Sequence, residues 1–291
     1  LATNKENNMI LITGATGNVG KELVKILMAK GESLRVVTRD EKKVAHLDAR
    51  IERVIGEVAD EAVAERAVKG VDRIYMFPLI TDVEHRSNSL LLEKAKKAGV
   101  KHIVMLSSLG AQAEFSKIGK LHRDKEVLVE KSGVPWTFVR PGAFMSNAYQ
   151  WQATIKSESK VFSPTGGGKV APISPKDIAA AAAVALTGNG HQGKIYALTG
   201  PELLSAHEQV NILAGVIGKL IECVDVPVQV AADGFSKTGA PQFLVDGLRT
   251  FWEGIKDGKV AIQTKDLEEL TGSKGEKFES WCVQHRQAFL N

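Results

Sequence analysis

The sequence predicts an α/β protein: a doubly wound, mainly parallel sheet followed by a smaller C-terminal α/β lobe. Three observations carry that reading. Short apolar runs alternate with amphipathic stretches of helical spacing through the first half of the chain. A glycine-rich turn separates the first of those runs from the first helix. After Gly142 the alternation loosens, which marks a change in architecture.

Taken in order, Met9–Thr13 reads as a strand and Gly14–Gly20 as a turn. Lys21–Lys30 reads as a helix, with Leu23, Val24, Leu27 and Met28 on one side and Gly31 at its end. Leu34–Thr38 is a second strand, and Asp40 caps a helix expected to reach Leu47. Val54–Ile55 is a short third strand. Asp60–Val68 is a helix stopped by Gly70, and Arg73–Phe77 a strand closed by Pro78. Glu84–Ala98 is a helix with Gly99 as its C′ residue, and His102–Leu106 a fifth strand. Lys120–Ser132 is a helix and Trp136–Val139 a sixth strand. Right-handed crossovers between such elements give a parallel sheet covered on both faces.

Beyond Gly142, Phe144–Lys156 is expected to be helical and Ser163–Gly168 a turning loop. Ser174–Leu186 is a capped, Ala-rich helix, Lys194–Leu198 a strand, and Ser205 the start of a helix with Glu208 placed for a capping box. Ile221–Val226 is a strand, and Val228–Asn291 mostly helical. The expected division is residues 1–155 as a nucleotide domain and 156–291 as further sheet elements and a substrate lobe, with interleaved segments.

Composition excludes several classes. The 291 residues are 44% hydrophobic and 25% charged, and 38 Lys and Arg against 34 Asp and Glu give formal +4. That excess is too small and dispersed to argue for nucleic acid. No run of 18 apolar residues exists, so no membrane partner is expected, and Leu1–Asn8 lacks the apolar segment of a signal peptide. Two cysteines, Cys223 and Cys282, make neither a disulfide framework nor a four-thiolate metal site. The histidines form no metal-binding spacing, and no Gly-x-Ser-x-Gly elbow occurs. The expectation is a cytoplasmic protein, monomer or homodimer, acting on a small molecule.

The turn Thr13-Gly14-Ala15-Thr16-Gly17-Asn18-Val19-Gly20 is the most informative segment. Gly14 permits a sharp turn, Gly17 lets main chain approach a pyrophosphate, and Gly20 lets the helix pack close to the sheet. The helix N-terminus then offers unpaired N–H groups and a positive dipole to the anion. This is the dinucleotide-binding arrangement of a Rossmann sheet. After the second strand stands Arg39, where a carboxylate would serve a ribose. A guanidinium fork there suits a 2′-phosphate and hence NADP(H), with Thr38 adding a hydroxyl. The alternatives are a solvated arginine, or a ribose served by Asp40 or Glu41. Gly56-Glu57, Met76, Phe77, Pro78, Leu79 and Ser107-Ser108 follow other strands and should line the same crevice, although packing or turn formation explains several equally well.

Carbonyl reduction also needs a proton. The residues four places after Tyr75, Tyr149 and Tyr196 are Leu79, Ala153 and Gly200, so no Tyr-x-x-x-Lys pair exists. Lys125 stands at the familiar interval after Ser108, but Leu121 occupies the tyrosine's place. His122 is the nearest replacement, and Glu126 one turn later could orient it or raise its pKa. Tyr149 is a second candidate. A surface His–Glu pair and aromatic packing beside Trp151 are the competing explanations. Phe144, Met145, Tyr149 and Trp151, with Phe235, Phe243, Phe251, Trp252, Phe278 and Trp281, could wall a flat apolar substrate or form a lobe core.

The ordered set Thr-Gly-Ala-Thr-Gly-Asn-Val-Gly, Val-Val-Thr-Arg, Ser-Ser-Leu-Gly and Ser132-Gly133-Val134-Pro135-Trp136-Thr137-Phe138-Val139-Arg140-Pro141-Gly142 resembles the NmrA-like branch of the atypical short-chain dehydrogenases. The likeness runs over nearly the whole chain. It implies an extended Rossmann domain with Gly14, Thr16, Gly17, Asn18, Val19 and Gly20 on the pyrophosphate and Arg39 on the 2′-phosphate. It places Phe77 and Pro78 along the ribose and Ser107 near the nicotinamide. Lys125 matches the family lysine by spacing, and His122 with Glu126 looks like the His-x-x-x-Glu found where the branch drops its tyrosine. Ser108, Phe144 and Tyr149 are the expected substrate contacts, and His122, Lys125 and Tyr149 the catalytic candidates. Relatives include quinone, triphenylmethane dye and azo reductases, and regulators that sense dinucleotide without turnover. The missing tyrosine favours a conjugated acceptor such as a quinone, imine, azo compound or dye, which needs less help from a positioned acid. The alternative is a non-catalytic NADP(H) sensor.

Overall fold

A computed structural model describes residues 8–113 and 117–290. Most of the N-terminal polar segment, from Leu1 to Asn7, lies outside them. The chain forms two compact units that interleave in sequence. One comprises Leu1–Ser108, Leu121–Arg140 and Ile178–Tyr196, and the other Leu109–Lys120, Pro141–Asp177 and Ala197–Asn291.

The first unit is built on a seven-stranded sheet. Its strands are β1 (Met9–Thr13), β2 (Ser33–Thr38), β3 (Glu52–Ile55), β4 (Arg73–Met76), β5 (His102–Leu106), β6 (Trp136–Pro141) and, taking up the label in chain order, β9 (Lys194–Leu198). The spatial order is β3-β2-β1-β4-β5-β6-β9, and the pairs from β3 through β6 are all parallel. Every residue of β1 and β5 is buried, as central strands covered on both faces must be. The covering helices are α1 (Asn18–Ala29), α2 (Glu61–Val68), α3 (Arg86–Lys97), α4 (Lys117–Ser132) and α6 (Pro175–Thr187), the last two beginning in the other unit. One core cluster joins Leu11, Val37, Ile74, Leu91, Ile103 and Phe138 from strands and helices alike. The strand order reverses between β1 and β4, which places a crevice beyond their carboxyl ends.

The expected helix from Asp40 to Leu47 is not formed. Asp40 accepts a hydrogen bond from Lys42 N at 3.0 Å, and only a 3₁₀ turn, Glu41–Lys43, follows. Val44 O accepts from Leu47 N in a further turn, and the Arg53 guanidinium donates to Val44 O, Leu47 O and Ile51 O. A side chain from the next strand thus satisfies carbonyls of this irregular segment.

The second unit holds α5 (Gln152–Glu158), β7 (Lys160–Ser163), β8 (Lys169–Val170), β10 (Leu204–Ser205), α7 (Ala206–Ile217), β11 (Glu222–Asp225), α8 (Val228–Ser236), α9 (Gln242–Lys256), α10 (Asp266–Thr271) and α11 (Phe278–His285). β7 pairs in parallel with β11, and β8 antiparallel with β10. The expected helix over Phe144–Lys156 begins instead as a 3₁₀ segment, Met145–Trp151, and becomes α-helical only at Gln152. β7, β8 and β10 are short and find their partners far along the chain, so no local pattern announces them. The Ser205–Glu208 capping box and the left-handed Gly218 that ends α7 are both present. The core of this unit gathers Met145, Ile155, Val161, Leu213, Phe278 and Trp281. No helix among the described residues is long and apolar enough to cross a membrane.

Candidate cofactor and active site

Everything in the first unit's crevice depends on how tightly the turn after β1 is wound. Gly14 has φ +69°, and a Cβ there would lie 2.8 Å from the Phe77 Cβ. A Cβ on Gly20 would fall 2.1 Å from the Gly14 carbonyl oxygen. Gly17 N donates to Gly14 O at 3.0 Å, and Gly17 then N-caps α1 without any side-chain cap. No acidic residue occupies the first turn. The positive end of α1 therefore carries no side-chain cap and no acidic side chain in its first turn. Thr16, Gly17 and Asn18 are exposed, whereas the Val19 side chain is in the core, so Val19 can meet a ligand only through its main chain.

The turn opens onto a cavity of about 260 Å³ at the reversal point of the sheet. Gly14, Thr16, Thr38, Arg39, Glu57 and Phe77 all line it, so residues from the ends of four strands meet there. Thr13 joins two of those ends: its Oγ1 accepts from Phe77 N at 2.7 Å and donates to Tyr75 O at 3.2 Å. Phe77 is exposed to the cavity, Pro78 is buried and Met76 belongs to the core. The Arg39 side chain is 74% exposed and only loosely engaged, with Nη1 3.7 Å from Glu57 Oε1, which leaves its fork of donors available. Its neighbour Asp40 is committed to the cap of the following turn. Asn88, from α3, is also in the wall; it is buried and its Nδ2 has no hydrogen-bond partner. A tight glycine cradle, an uncapped helix start, a loosely paired guanidinium and an orphaned amide donor are what a phosphorylated dinucleotide requires, so the residues present fit the group.

A buried ionic cluster lies elsewhere in the same unit. Ser107 Oγ donates to Glu126 Oε1 at 2.5 Å, and Arg140 donates to both Glu126 oxygens, at 2.8 and 2.6 Å. Arg123 adds a bond to Glu126 Oε2 at 3.0 Å and also holds Glu130. Burial opposes the Glu126 charge, but the bonds from Arg140 and Ser107 outweigh it and keep the carboxyl below its usual range. The expected His122–Glu126 pairing is therefore replaced: Glu126 is turned inward to Ser107 and two arginines. His122 is half-buried, its Nδ1 has no hydrogen-bond partner, and burial lowers its pKa to about 4. Lys125 is buried, and its Nζ donates to Asp82 O at 3.0 Å and sits 3.1 Å from His85 Nδ1. Burial lowers its pKa, against the attraction of Asp82 and Asp124. Ser108 is half-buried at the end of the segment.

Tyr149 and Phe144 belong to the second unit. The Tyr149 hydroxyl is 2.8 Å from His285 Nδ1, and its ring packs on Trp281 and Phe289. Of the aromatics grouped from the sequence, Phe278 and Trp281 are core with Tyr149 packed against them, Phe144, Phe251 and Trp252 border a cavity, Trp151 does both, and Phe235 and Phe243 belong to neither. Sequence reasoning missed Thr13, Asn88, Arg123 and Arg140 as members of these sites. Arg140 stood inside a quoted motif, but nothing local signalled its bond to a residue on another element. Among the described residues no cluster could hold a metal ion.

Comparison with known proteins agrees with this geometry. The profile of the NAD(P)H-binding family matches residues 14–189. Over 97% of this chain and 99% of the relative's, the sequence is 35% identical to a (4-alkanoyl-5-oxo-2,5-dihydrofuran-3-yl)methyl phosphate reductase of Streptomyces griseus subsp. griseus. Over the same shares it is 31% identical to an NAD(P)H azoreductase of Xenophilus azovorans. The NADPH complex of an Escherichia coli NADPH-dependent quinone oxidoreductase superposes with TM-score 0.85 at 26% identity, covering 96% of this chain and 100% of the other. The fold and cradle are those of a dinucleotide-binding protein. The chain belongs to the NAD(P)H-binding family.

Proposed function

We propose that the protein is an NADPH-dependent oxidoreductase that passes hydride to a conjugated, aromatic small molecule of the quinone, imine, azo or dye type. The observation that carries this is the uncapped N-terminus of α1 opening, through a turn only glycine can make, onto a cavity that also contains Arg39. The reductase names of the two similar sequences support it.

When bound, the cofactor's nicotinamide supplies hydride from C4. The chain's own residues do the rest. Main-chain donors of residues 18–20 would take the pyrophosphate, the Gly17 N–H being spent on Gly14 O, and Arg39 would take the 2′-phosphate. Phe77 and Pro78 would lie along the ribose, and the Lys125 ammonium holds the 78–85 segment through Asp82 O. Ser107 has given its only proton to Glu126, so its oxygen can accept a hydrogen bond from a ligand but cannot donate one. That suits a carboxamide N–H and excludes Ser107 as proton donor. His122, neutral near pH 7 because of its burial, is a hydrogen-bonding imidazole and not an imidazolium acid. With no strong acid among these groups, an acceptor that spreads its negative charge over a conjugated system is the chemical match.

The test is titration of the protein with NADPH and NADH, followed by NADPH oxidation with neutral quinones, azo compounds, imines and cationic dyes. Saturable NADPH binding and turnover with at least one class are expected. Arg39→Ala should weaken NADPH by roughly tenfold or more while leaving NADH nearly unchanged, the loss of one charge-assisted contact being worth about 1.5–3 kcal/mol. Equal losses for both cofactors would refute the 2′-phosphate assignment. Tight binding without turnover across the panel would refute the reductase reading and support a dinucleotide sensor.

A further inference from the structure

The second unit contains a cavity of its own, about 150 Å³ and open to solvent. One wall is a face of α9, where Leu248, Phe251, Trp252 and Ile255 recur at i, i+3, i+4 and i+7. A helix face of that pattern normally disappears into a core. Here Leu248, Phe251 and Trp252 remain half-exposed although the helix is held at both ends. Near its start, Gly247 packs so closely that a Cβ would fall 2.3 Å from Ile118 Cγ1, and Lys117 pairs with Asp246 at 2.8 Å. Near its end, Gly168 approaches until a Cβ would lie 2.2 Å from Ile255 O and 2.7 Å from its carbonyl carbon. The helix is fixed in place by these contacts, and its aromatic middle lines the cavity together with Phe144 and Trp151.

The lining includes no Asp, Glu, Lys, Arg or His. Its polar groups are the amides of Asn147, Gln150 and Gln209 and a hydroxyl pair, Ser163 and Thr165, bonded to each other at 2.9 Å. A charged ligand would give up hydration and find no opposite charge. A flat, uncharged arene would gain contact with several aromatic side chains, and its carbonyl or hydroxyl groups would meet neutral amides. We infer that this cavity is a binding site for uncharged planar aromatic compounds, selective against their anionic derivatives. Phe251 and Trp252 are its anchors. Identifying that ligand with the hydride acceptor rests on the reductase reading; the binding itself does not.

The test uses the full chain without cofactor and two probes that share one ring system. N-phenyl-1-naphthylamine is neutral, and 8-anilinonaphthalene-1-sulfonate adds a sulfonate. The neutral probe should show one saturable site by fluorescence, and the sulfonate should bind at least about tenfold more weakly, since desolvating an unpaired charge costs more than the 1.4 kcal/mol of a tenfold change. Phe251→Asp should weaken the neutral probe by at least about tenfold. Trp252→Leu, a milder change, should weaken it by several-fold, and both should keep parental NADPH titration. No saturable binding, equal affinity for the two probes, or unchanged affinity in both variants would overturn the inference. Because no cofactor is present, such a failure is distinct from loss of NADPH binding or turnover.

Discussion

Each unit closes a cavity by pressing a glycine against main chain, but over different distances in sequence and around different chemistry. In the first unit Gly20 meets Gly14, one turn away, and the cavity wall carries Arg39, Asp40, Lys43 and Glu57. In the second, Gly168 meets Ile255, most of a lobe away, and the wall carries no ionisable group. The first device binds by charge and by main-chain donors; the second offers shape and apolar surface. The contrast implies that the first unit should be vulnerable to any change of charge, and the second chiefly to changes of volume.

The largest expected effect breaks the charge side of the comparison. Arg140→Leu removes the principal partner of a fully buried carboxylate and should cost about 3–5 kcal/mol, read as a lower urea midpoint. Because the folded Glu126 pKa is depressed, its contribution is present above the ordinary carboxylate range and is lost as pH falls through the folded value. The variant should therefore have a flatter acid limb than the parent. A variant within about 0.5 kcal/mol of the parent would show that Arg123 alone suffices.

Gly20→Ala comes next. The added methyl cannot be accommodated against the Gly14 carbonyl without moving α1, so a loss of about 1–3 kcal/mol is expected, together with saturable NADPH binding. Gly168→Ala should cost a similar or smaller amount, abolish binding of the neutral naphthylamine and spare NADPH. If each glycine variant disabled both ligands, the two cavities would not be independent, and the comparison would fail.

Histidine titration supplies a smaller effect. His102 and His122 are both lowered to about 4, chiefly by burial. An unfolded chain takes up those protons near pH 6.5, so the folded state is penalised as pH drops from about 6.5 toward 4. His122→Gln should flatten that part of the urea-midpoint profile. The rate of NADPH oxidation should show no inflection from His122 between about pH 5 and 8; one that vanished in His122→Gln would restore the imidazolium acid.

What could be read from the sequence follows the same division. Met9–Thr13, the glycine turn and His102–Leu106 declared themselves because their determinants are consecutive residues. Ser205 and Glu208 were legible for the same reason. After Asp40 the chain turns irregularly instead of forming the expected helix, and its carbonyls at Val44 and Leu47 are bonded by Arg53, which lies beyond the segment. His122–Glu126 failed because helical spacing says which residues are neighbours but not which of them a buried arginine will claim. Gly168 read only as a turn, since its reason for being glycine lies on α9.

The smallest and most discriminating prediction concerns Asn88. A buried amide donor with no partner costs about 1–3 kcal/mol, a cost that the ligand-free protein bears alone. Asn88→Leu keeps the volume and removes the donor, so the ligand-free protein should gain about 1 kcal/mol of stability. If the cofactor normally supplies the missing acceptor, NADPH binding should weaken by about tenfold in the same variant. Opposite signs for stability and affinity are the signature of a group held ready for a ligand. A variant that lost stability with unchanged NADPH affinity would show that Asn88 serves the packing of α3 and not the cofactor, whose polar contacts would then come from the rest of that wall, Arg39 among them.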